Sequence, residues 1–519
     1  MNYKVCILAA GTGSRMLPLT EHFNKALLPV AYKAAISHII EKFPKEIEIV
    51  IAVGHEKNKI AEYLLCAHKN RKVQLVDVDN ISNIGSGPGY SLLCCKDHLQ
   101  CPFIFCSADT IVVEDIPTPD RNWMGVASTT NPEEYCTLAI QEGIISGLDD
   151  KIKCNNKDAF IGLAGIKDYG HFFASIQDDN SLIKDELQVS NGFRSLIQKN
   201  IYPITFSWHD TGNLEGYRSA NTFFLEETEF FDFSKTNEYL YFVGNKVIKY
   251  FGDKKNTHNR CLRAKQLRGL CPPIQCETDY FYSYYKVSGK VMYDSITPSS
   301  VEKLLLWLKR NLWIEFNLDS KKMVEFKDAC VSFYRAKTTA RLNAYYKKYN
   351  LKDSSWAING EIVPNASDLL SRIDYEWLSN GVPTKFHGDL QFDNILVTED
   401  SSFILLDWRQ DFSGILEYGD MYYDLAKLNG GIYVSYKKIK QGLFEFNEDS
   451  GGCFISTDSD HNLAQAKSIF DDFVKENNYD MRKIEILTGI IFLNMAPMHH
   501  APFSHYIYNL GRHQINKWI

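Results

Sequence analysis

The 519-residue chain lacks any apolar run near the roughly 20 residues needed to cross a bilayer. It also lacks an excess of positive charge. Its 57 Lys and Arg face 64 Asp and Glu, a net charge of −7, which gives no global attraction to nucleic acid or to an anionic membrane. Only Lys4 precedes the first short apolar stretch, so no secretory leader is expected. The thirteen cysteines are scattered and never spaced C-x-x-C, and reduced, buried thiols are the expectation. These absences exclude a nucleic-acid partner and a membrane span, and they point to the cytoplasm. Two phosphate-binding motifs are missing as well. There is no G-x-x-x-x-G-K-[ST], and the one G-x-G-x-x-G candidate has Met16 where the third glycine should stand.

What is present is a soluble composition, 45% hydrophobic and 23% charged, in a chain long enough for two or three domains. The first two hundred residues alternate strand and helix. Strands are expected at Val5–Leu8, Ile47–Val53, Val73–Val78 and Phe103–Cys106, and helices at Ala34–Phe43, Asn58–His68 and Tyr90–Leu99. That rhythm predicts an α/β domain with a mixed, mainly parallel sheet. Ligands bind such sheets at the carboxyl ends of the strands. Gly11 and Asp109 both fall at such ends.

The stretch Leu8-Ala9-Ala10-Gly11-Thr12-Gly13 turns sharply after the first strand, and Arg15 and Lys25 follow. A glycine turn by itself is often only structural. Two cations aimed at a glycine-rich anion cradle suit a triphosphate. The longer run LAAGTGSRMLPLTEHFNKALLPV resembles the signature of sugar-phosphate and alcohol-phosphate nucleotidyltransferases, departing from it at Asn24, where proline is usual. CSADT and WHDTGNLEGY extend the resemblance, which covers about residues 3 to 220. It implies a Rossmann-like fold in which Asp109 and Asp210 hold Mg²⁺. It also implies that GSGPGYSLL, with Gly85, Ser86 and Gly87, meets base and ribose, and that IGLAGIKDY (Ile161–Tyr169) meets the acceptor phosphate. Asp109 as a turn former and Asp210 as a loop charge are the plainer alternatives. The chemistry fits the residue types. A phosphomonoester is already ionised near neutral pH, so no general base is needed. The demand is for donors and cations preorganised around anions.

Past about residue 222 the pattern changes. Tyr239–Phe251 predicts a hairpin turning at Gly244-Asn245, and Phe281–Met292 a second strand pair. Helices then dominate, with apolar three- and four-residue spacing in Val301–Leu312 and Met323–Tyr349. In FHGDLQFDNILV, Asp389 and Asn394 are five apart, and FILLDW places Asp407 thirteen further on. That arrangement follows the kinase template H-R-D-L-x-x-x-N with a later D-F-G. With Gly388 and Asp-Trp-Arg at 407–409, it resembles the choline-kinase and aminoglycoside-phosphotransferase branch. The resemblance implies a bilobal, protein-kinase-like α+β domain over 223–519, with a small β lobe at about 230–295 and a helical lobe at about 296–519. Asp389 would take the alcohol proton, Asn394 and Asp407 would hold Mg²⁺, and Lys249 would contact the ATP phosphates, with Lys246 as its competitor. His387 reads as a loop brace, and Asp420 and Asp424 as helix caps and structural contacts. Two expected features are missing: a glycine-rich loop around Phe231–Leu240 and a glutamate in the helix Thr257–Leu267. Trp307, Trp313, Trp356, Trp377 and Trp408 are candidates for an aromatic cage around a quaternary ammonium. His499, His500 and His505 lack a metal-binding spacing.

A kinase makes a phosphomonoester and a nucleotidyltransferase consumes one. The expectation is a bifunctional enzyme that takes a small alcohol or sugar and its phosphate, ATP and a second nucleoside triphosphate, CTP by preference. It would activate the alcohol for a surface glycan or lipid such as capsule polysaccharide. A sugar kinase and sugar-phosphate nucleotidyltransferase using UTP is the runner-up. A binding or regulatory protein with one inactive domain is the reading from another class. A homo-oligomer is compatible with any of them.

Overall fold

The computed structural model describes residues 3–225, 237–449, 451–457 and 461–519. Part of Phe231–Leu240, where a glycine-rich loop was sought, lies outside the described residues. No described helix is long and apolar enough to cross a membrane. The chain divides into two compact units. The first holds residues 3–225, 237–252 and 278–283, and the second holds 253–277 and the described residues from 284 onward.

The first unit is built on a nine-stranded sheet. Its parallel half runs Phe103–Ser107, Lys4–Ala9, Ile49–Val53, Val73–Asp77 in spatial order. Val5 to Ala9 and Ile49 to Val53 are buried throughout, as a strand covered on both faces requires. The helices Ala35–Ile40, Lys57–Ala67 and Pro88–Cys94 connect these strands, close to the expected positions. The outer half departs from the mainly parallel expectation. Asp158–Ile166 runs antiparallel to Phe103–Ser107 and also pairs antiparallel with Trp123–Ser128 and Cys136–Gln141. The sheet is therefore mixed, and the unit is α/β. The hairpin Glu238–Val243 and Lys246–Phe251 forms as expected and belongs to this same unit. Tyr241 donates its hydroxyl to Leu27 O at 2.9 Å, and Lys246 Nζ donates to Cys66 O at 2.8 Å.

The second unit is mostly helical. Met481–Met495 is buried from Lys483 to Asn494 and packs against Phe503–Trp518 and Met421–Tyr433. Close approach of the first two helices depends on glycine: a Cβ on Gly489 would lie 2.9 Å from Gly511 O. Ser320–Val331 continues through a π turn, Ser332–Ala336, into Lys337–Tyr349, so the expected long helix is interrupted at its middle. The strand pair expected in Phe281–Met292 is not a hairpin. Lys290–Val291 pairs instead with Ile395–Val397, which in turn pairs with Phe403–Leu405. The loop between those two strands carries no site residue, but their flanks carry Asn394 and Asp407.

Cys6, Cys95, Cys106, Cys261 and Cys330 are among the buried free thiols. Cys66 and Cys276 are not free thiols, which corrects the expectation of reduced cysteines at those two positions.

Candidate functional sites

In the first unit the strand Lys4–Ala9 ends in an open loop. Gly13 takes φ 66°, and a Cβ there would lie 3.1 Å from Thr20 Cγ2. A short helical turn, Ser14–Met16, follows and presents exposed Arg15 above buried Met16. Lys25 opens a second short turn whose N-cap is Asn24. Asn24 is fully buried and uses its whole amide. Nδ2 donates to Ala9 O at 2.9 Å and His55 O at 2.8 Å, and Oδ1 accepts from Ala26 N at 2.9 Å. Proline would fix this turn through its ring; asparagine fixes it by stapling the turn to the strand end. Asn24→Ala orphans buried backbone groups and is expected to cost about 2 kcal/mol, read as a lower urea midpoint with an unchanged m-value.

Four side chains meet beyond the strand ends. Lys25 Nζ lies 2.5 Å from Asp109 Oδ2, both largely buried. Asp109 follows Phe103–Ser107. Asp210 ends Trp208–Asp210, which pairs antiparallel with Thr110–Val112 and sets Asp210 opposite Thr110. A Cβ on Gly212 would lie 2.7 Å from Asp109 Oδ2, 2.9 Å from Asp210 Oδ1 and 3.3 Å from Arg15 Nη2. Both carboxylates and the guanidinium thus border one point. Burial pushes the Asp109 carboxyl up, but Lys25 and Arg15 outweigh it and hold it below its ordinary value. Asp210 is pushed above its ordinary value by burial and by the Asp109 charge. Tyr135, which the sequence reading missed, donates its hydroxyl to Asp210 Oδ2 at 3.1 Å. A lone tyrosine ahead of a strand carries no sequence signal for that role. Gly212→Ala has no room for its methyl.

The other expected segments of this unit divide. Gly85, Ser86 and Gly87 lead into the helix Pro88–Cys94. They are held by Gly85 N donating to Asp185 O and Leu187 N donating to Ser86 O, each at 2.8 Å. A Cβ on Gly87 (φ 110°) would lie 2.9 Å from Leu187 O. In Ile161–Tyr169 only the first end lies against the residues that flank Asp109. Gly162 sits against Ser107, and Thr110 Oγ1 donates to Ile161 O. The antiparallel register pairs Ile166 with Phe103, which carries Lys167 and Tyr169 to the opposite end of the strand from Asp109. That corrects the expectation for those two residues.

In the second unit the loop after Phe386 is gathered by Asp424, which accepts from His387 N and Gly388 N at 2.7 Å each. His387 is wholly buried. Its Nε2 bonds Leu406 O at 2.8 Å and its Nδ1 accepts from Asp389 N at 3.2 Å. Burial lowers it to about 4, so it is a neutral brace. Asp420 caps the helix Met421–Tyr433. Asn394 Nδ2 donates to Asp389 O at 2.8 Å and Asp389 Oδ2 at 3.2 Å, and among the described residues its Oδ1 takes no hydrogen bond. Leu406 N donates to Asn394 O at 2.7 Å, which sets Asp407 (φ 59°) beside Asn394. Burial raises Asp389, yet Lys427, 2.7 Å away, lowers it further, and the carboxyl stays below its ordinary value. Lys427 lies in the same stretch, EYGDMYYDLAKL, as Asp420 and Asp424, but was not singled out in it. Arg260, in the helix Lys254–Gln266 that lacks a glutamate, donates to Asp407 Oδ1 at 3.2 Å and to Trp408 O. Lys249 belongs to the first unit, on the strand Lys246–Phe251.

Among the described residues the tryptophans named above keep separate partners. Trp408 is buried and donates to Arg260 O at 2.8 Å, Trp313 packs on Phe473, and Trp377 faces Arg482 and Lys483. Among the described residues no group of three or more His, Cys, Asp or Glu could by itself hold a metal ion. The first site brings the Asp109 and Asp210 carboxylates together at Gly212, and in the second Asn394 and Asp407 stand on neighbouring strand flanks. That fits a hard cation which keeps waters and shares phosphate oxygens.

Residues 5–116 match the family of MobA-like NTP transferase domains. The chain is 29% identical over 233 residues to the bifunctional protein GlmU of Methanococcus vannielii, covering 42% of this chain and 54% of that protein. It is 23% identical over 241 residues to the low-salt glycan biosynthesis nucleotidyltransferase Agl11 of Haloferax volcanii, covering 43% and 66%. The chain therefore spans about half the length of the first of these relatives. Among solved structures it is similar to the CTP:phosphocholine cytidylyltransferase of Streptococcus pneumoniae, at 22% identity and TM-score 0.37, covering 43% of this chain and all of that one. It is likewise similar to a glucose-1-phosphate thymidylyltransferase of Bacillus anthracis, at 21% and TM-score 0.38, covering 45% and 98%. The family match lies at the amino-terminal end of the chain.

Proposed function

We propose that the chain is a bifunctional enzyme whose carboxy-terminal part phosphorylates a small alcohol with ATP and whose amino-terminal part transfers a nucleotidyl group to the resulting phosphomonoester. Along the chain the division of labour is placed near residues 222 and 223, while the hairpin Glu238–Phe251 belongs to the first compact unit. The observation that carries the transferase half is the convergence of Arg15, Asp109 and Asp210 on Gly212, with Lys25 paired to Asp109, together with the family match over 5–116. The kinase half rests on the gathering of Asp389, Asn394 and Asp407.

In the transferase step a phosphate oxygen of the acceptor forms a bond to the α-phosphorus, and the bond from that phosphorus to the bridging oxygen breaks, releasing pyrophosphate. No proton moves. Leu8 to Gly13 bring backbone toward the triphosphate, and Gly85, Ser86 and Gly87 border the nucleoside. Arg15 holds the leaving phosphates, and Lys25 steadies the charge that builds at the α-phosphate. Asp109 and Asp210 would hold Mg²⁺, which supplies charge neutralisation when bound. In the kinase step the alcohol O–H gives its proton to Asp389, its oxygen bonds the γ-phosphorus, and ADP leaves. Asn394 and Asp407 would hold Mg²⁺ there.

CTP is the proposed nucleotide. UTP is the second reading, favoured by one relative in particular, the UTP–glucose-1-phosphate uridylyltransferase YngB of Bacillus subtilis, 30% identical over 135 residues. The product would serve a surface glycan. Pyrophosphate release and ADP formation, measured separately across CTP, UTP, GTP, ATP and dTTP and a panel of alcohols and their phosphates, test the proposal. Pyrophosphate without ADP leaves a transferase alone, and neither product leaves a binding protein.

A further inference from the structure

Near Asp389 the second unit gathers four cations, Lys337, Arg341, Arg409 and Lys427, beside the carboxylates of Asp389, Asp407 and Asp393. Lys337 and Arg341 lie one turn apart on the helix Lys337–Tyr349, a spacing at which like charges repel. Lys337 Nζ stands 4.0 Å, and Arg409 Cζ 4.8 Å, from the centre of the Phe333 ring. Arg409 is tied to the loop by its backbone N donating to His387 O at 2.9 Å, and its Nε is buried without a hydrogen-bond partner among the described residues. Lys427 holds Asp389 at 2.7 Å. Among the described residues no carboxylate lies within ion-pair distance of Lys337, Arg341 or Arg409.

Such an arrangement is expensive unless something negative enters it. Burial first, then Arg409, Lys427 and Arg341, push the Lys337 amine down to about 6, with Asp389 as the opposing charge. The Phe333 ring, which could have met a quaternary ammonium, is already faced by two of the protein's own cations. We propose that the acceptor of the kinase step is a small alcohol bearing an anionic group, a carboxylate or a phosphate, which Lys337, Arg341 and Arg409 hold while the hydroxyl lies against Asp389. This rests on the kinase reading above and narrows it: choline and ethanolamine are disfavoured, and hydroxy acids and already phosphorylated alcohols are preferred.

The test is calorimetric titration of the full chain with glycerate, glycerol 3-phosphate, glycerol and choline, alongside ADP formation from ATP with each. Glycerate or glycerol 3-phosphate is expected to bind at least about tenfold more tightly than glycerol, as for one or two charge-assisted hydrogen bonds. Comparing the two separates carboxylate from phosphate recognition. Lys337→Met and Arg341→Met should each remove most of that preference while leaving pyrophosphate release intact, which also locates the binding in this unit. Affinity for the anion should strengthen from pH 8 toward pH 6, as Lys337 takes up its proton. Equal or tighter binding of glycerol or choline, or variants without effect, would overturn the proposal. ADP formation that is fastest with choline or glycerol overturns it while the kinase reading stands. Anion binding that depends on Lys337, with no ADP from any member, keeps the pocket and overturns the kinase reading.

Discussion

Lys25→Ala is expected to lower pyrophosphate release by about a thousandfold, the scale seen when one preorganised group facing developing charge is removed, and to leave ADP formation unchanged. Lys25 lies 2.5 Å from Asp109 Oδ2 and is 18% exposed. Its amine therefore acts where water screens weakly. It also offsets the crowding of two carboxylates that both approach Gly212. The sign of the pH effect follows from Asp109. Burial raises that carboxyl and Lys25 lowers it by more, so the native group sits below its ordinary value. Without Lys25 the burial effect remains, the carboxyl moves up, and the acidic limb of the residual pH–rate profile moves to higher pH. Lys25→Arg should restore part of the rate and return the limb. A Lys25→Ala protein with full pyrophosphate release would remove the site from the chemistry.

Asp389→Asn is expected to lower ADP formation by about a thousandfold, within the range for loss of a positioned general base, with pyrophosphate release from a supplied phosphomonoester unchanged. The asparagine keeps the shape and one acceptor for Asn394 Nδ2, which donates to Asp389 Oδ2 at 3.2 Å, so the loop should stay folded. What is lost is the place for the alcohol proton and the partner of Lys427. Asp424→Asn is the contrasting variant. It disturbs the two backbone amides that hold the loop and should lower thermal stability together with rate, whereas Asp389→Asn lowers rate alone.

Much of the amino-terminal architecture is legible in the sequence. The run Val5–Ala9 is buried on every residue, and continuous apolar strands alternating with amphipathic helices leave few alternatives to a parallel core. The outer strands were less legible because an antiparallel strand such as Asp158–Ile166, buried along most of its length, has the same composition as a parallel one. Direction is set by connections that composition does not record. The same ambiguity hid which end of Ile161–Tyr169 faces Asp109. Motif aspartates were legible because they stand at strand ends; their partners Lys427, Tyr135 and Arg260 were not, since each reaches its carboxylate through tertiary contact alone. Asn24 is the instructive departure. Read as a break in a pattern, it turns out to make three hydrogen bonds that do a proline's work.

The central claim is that one chain carries two separate phosphate-handling sites acting in series. Mixing the purified Lys25→Ala and Asp389→Asn proteins tests it most directly, with ATP, CTP and the alcohol panel supplied together and the nucleoside-diphosphate-linked product measured. Each variant alone should form almost none, and the mixture should recover much of the wild-type yield, because each supplies the step the other lacks. A mixture no better than its components, or a single variant that completes the conversion unaided, would contradict the account.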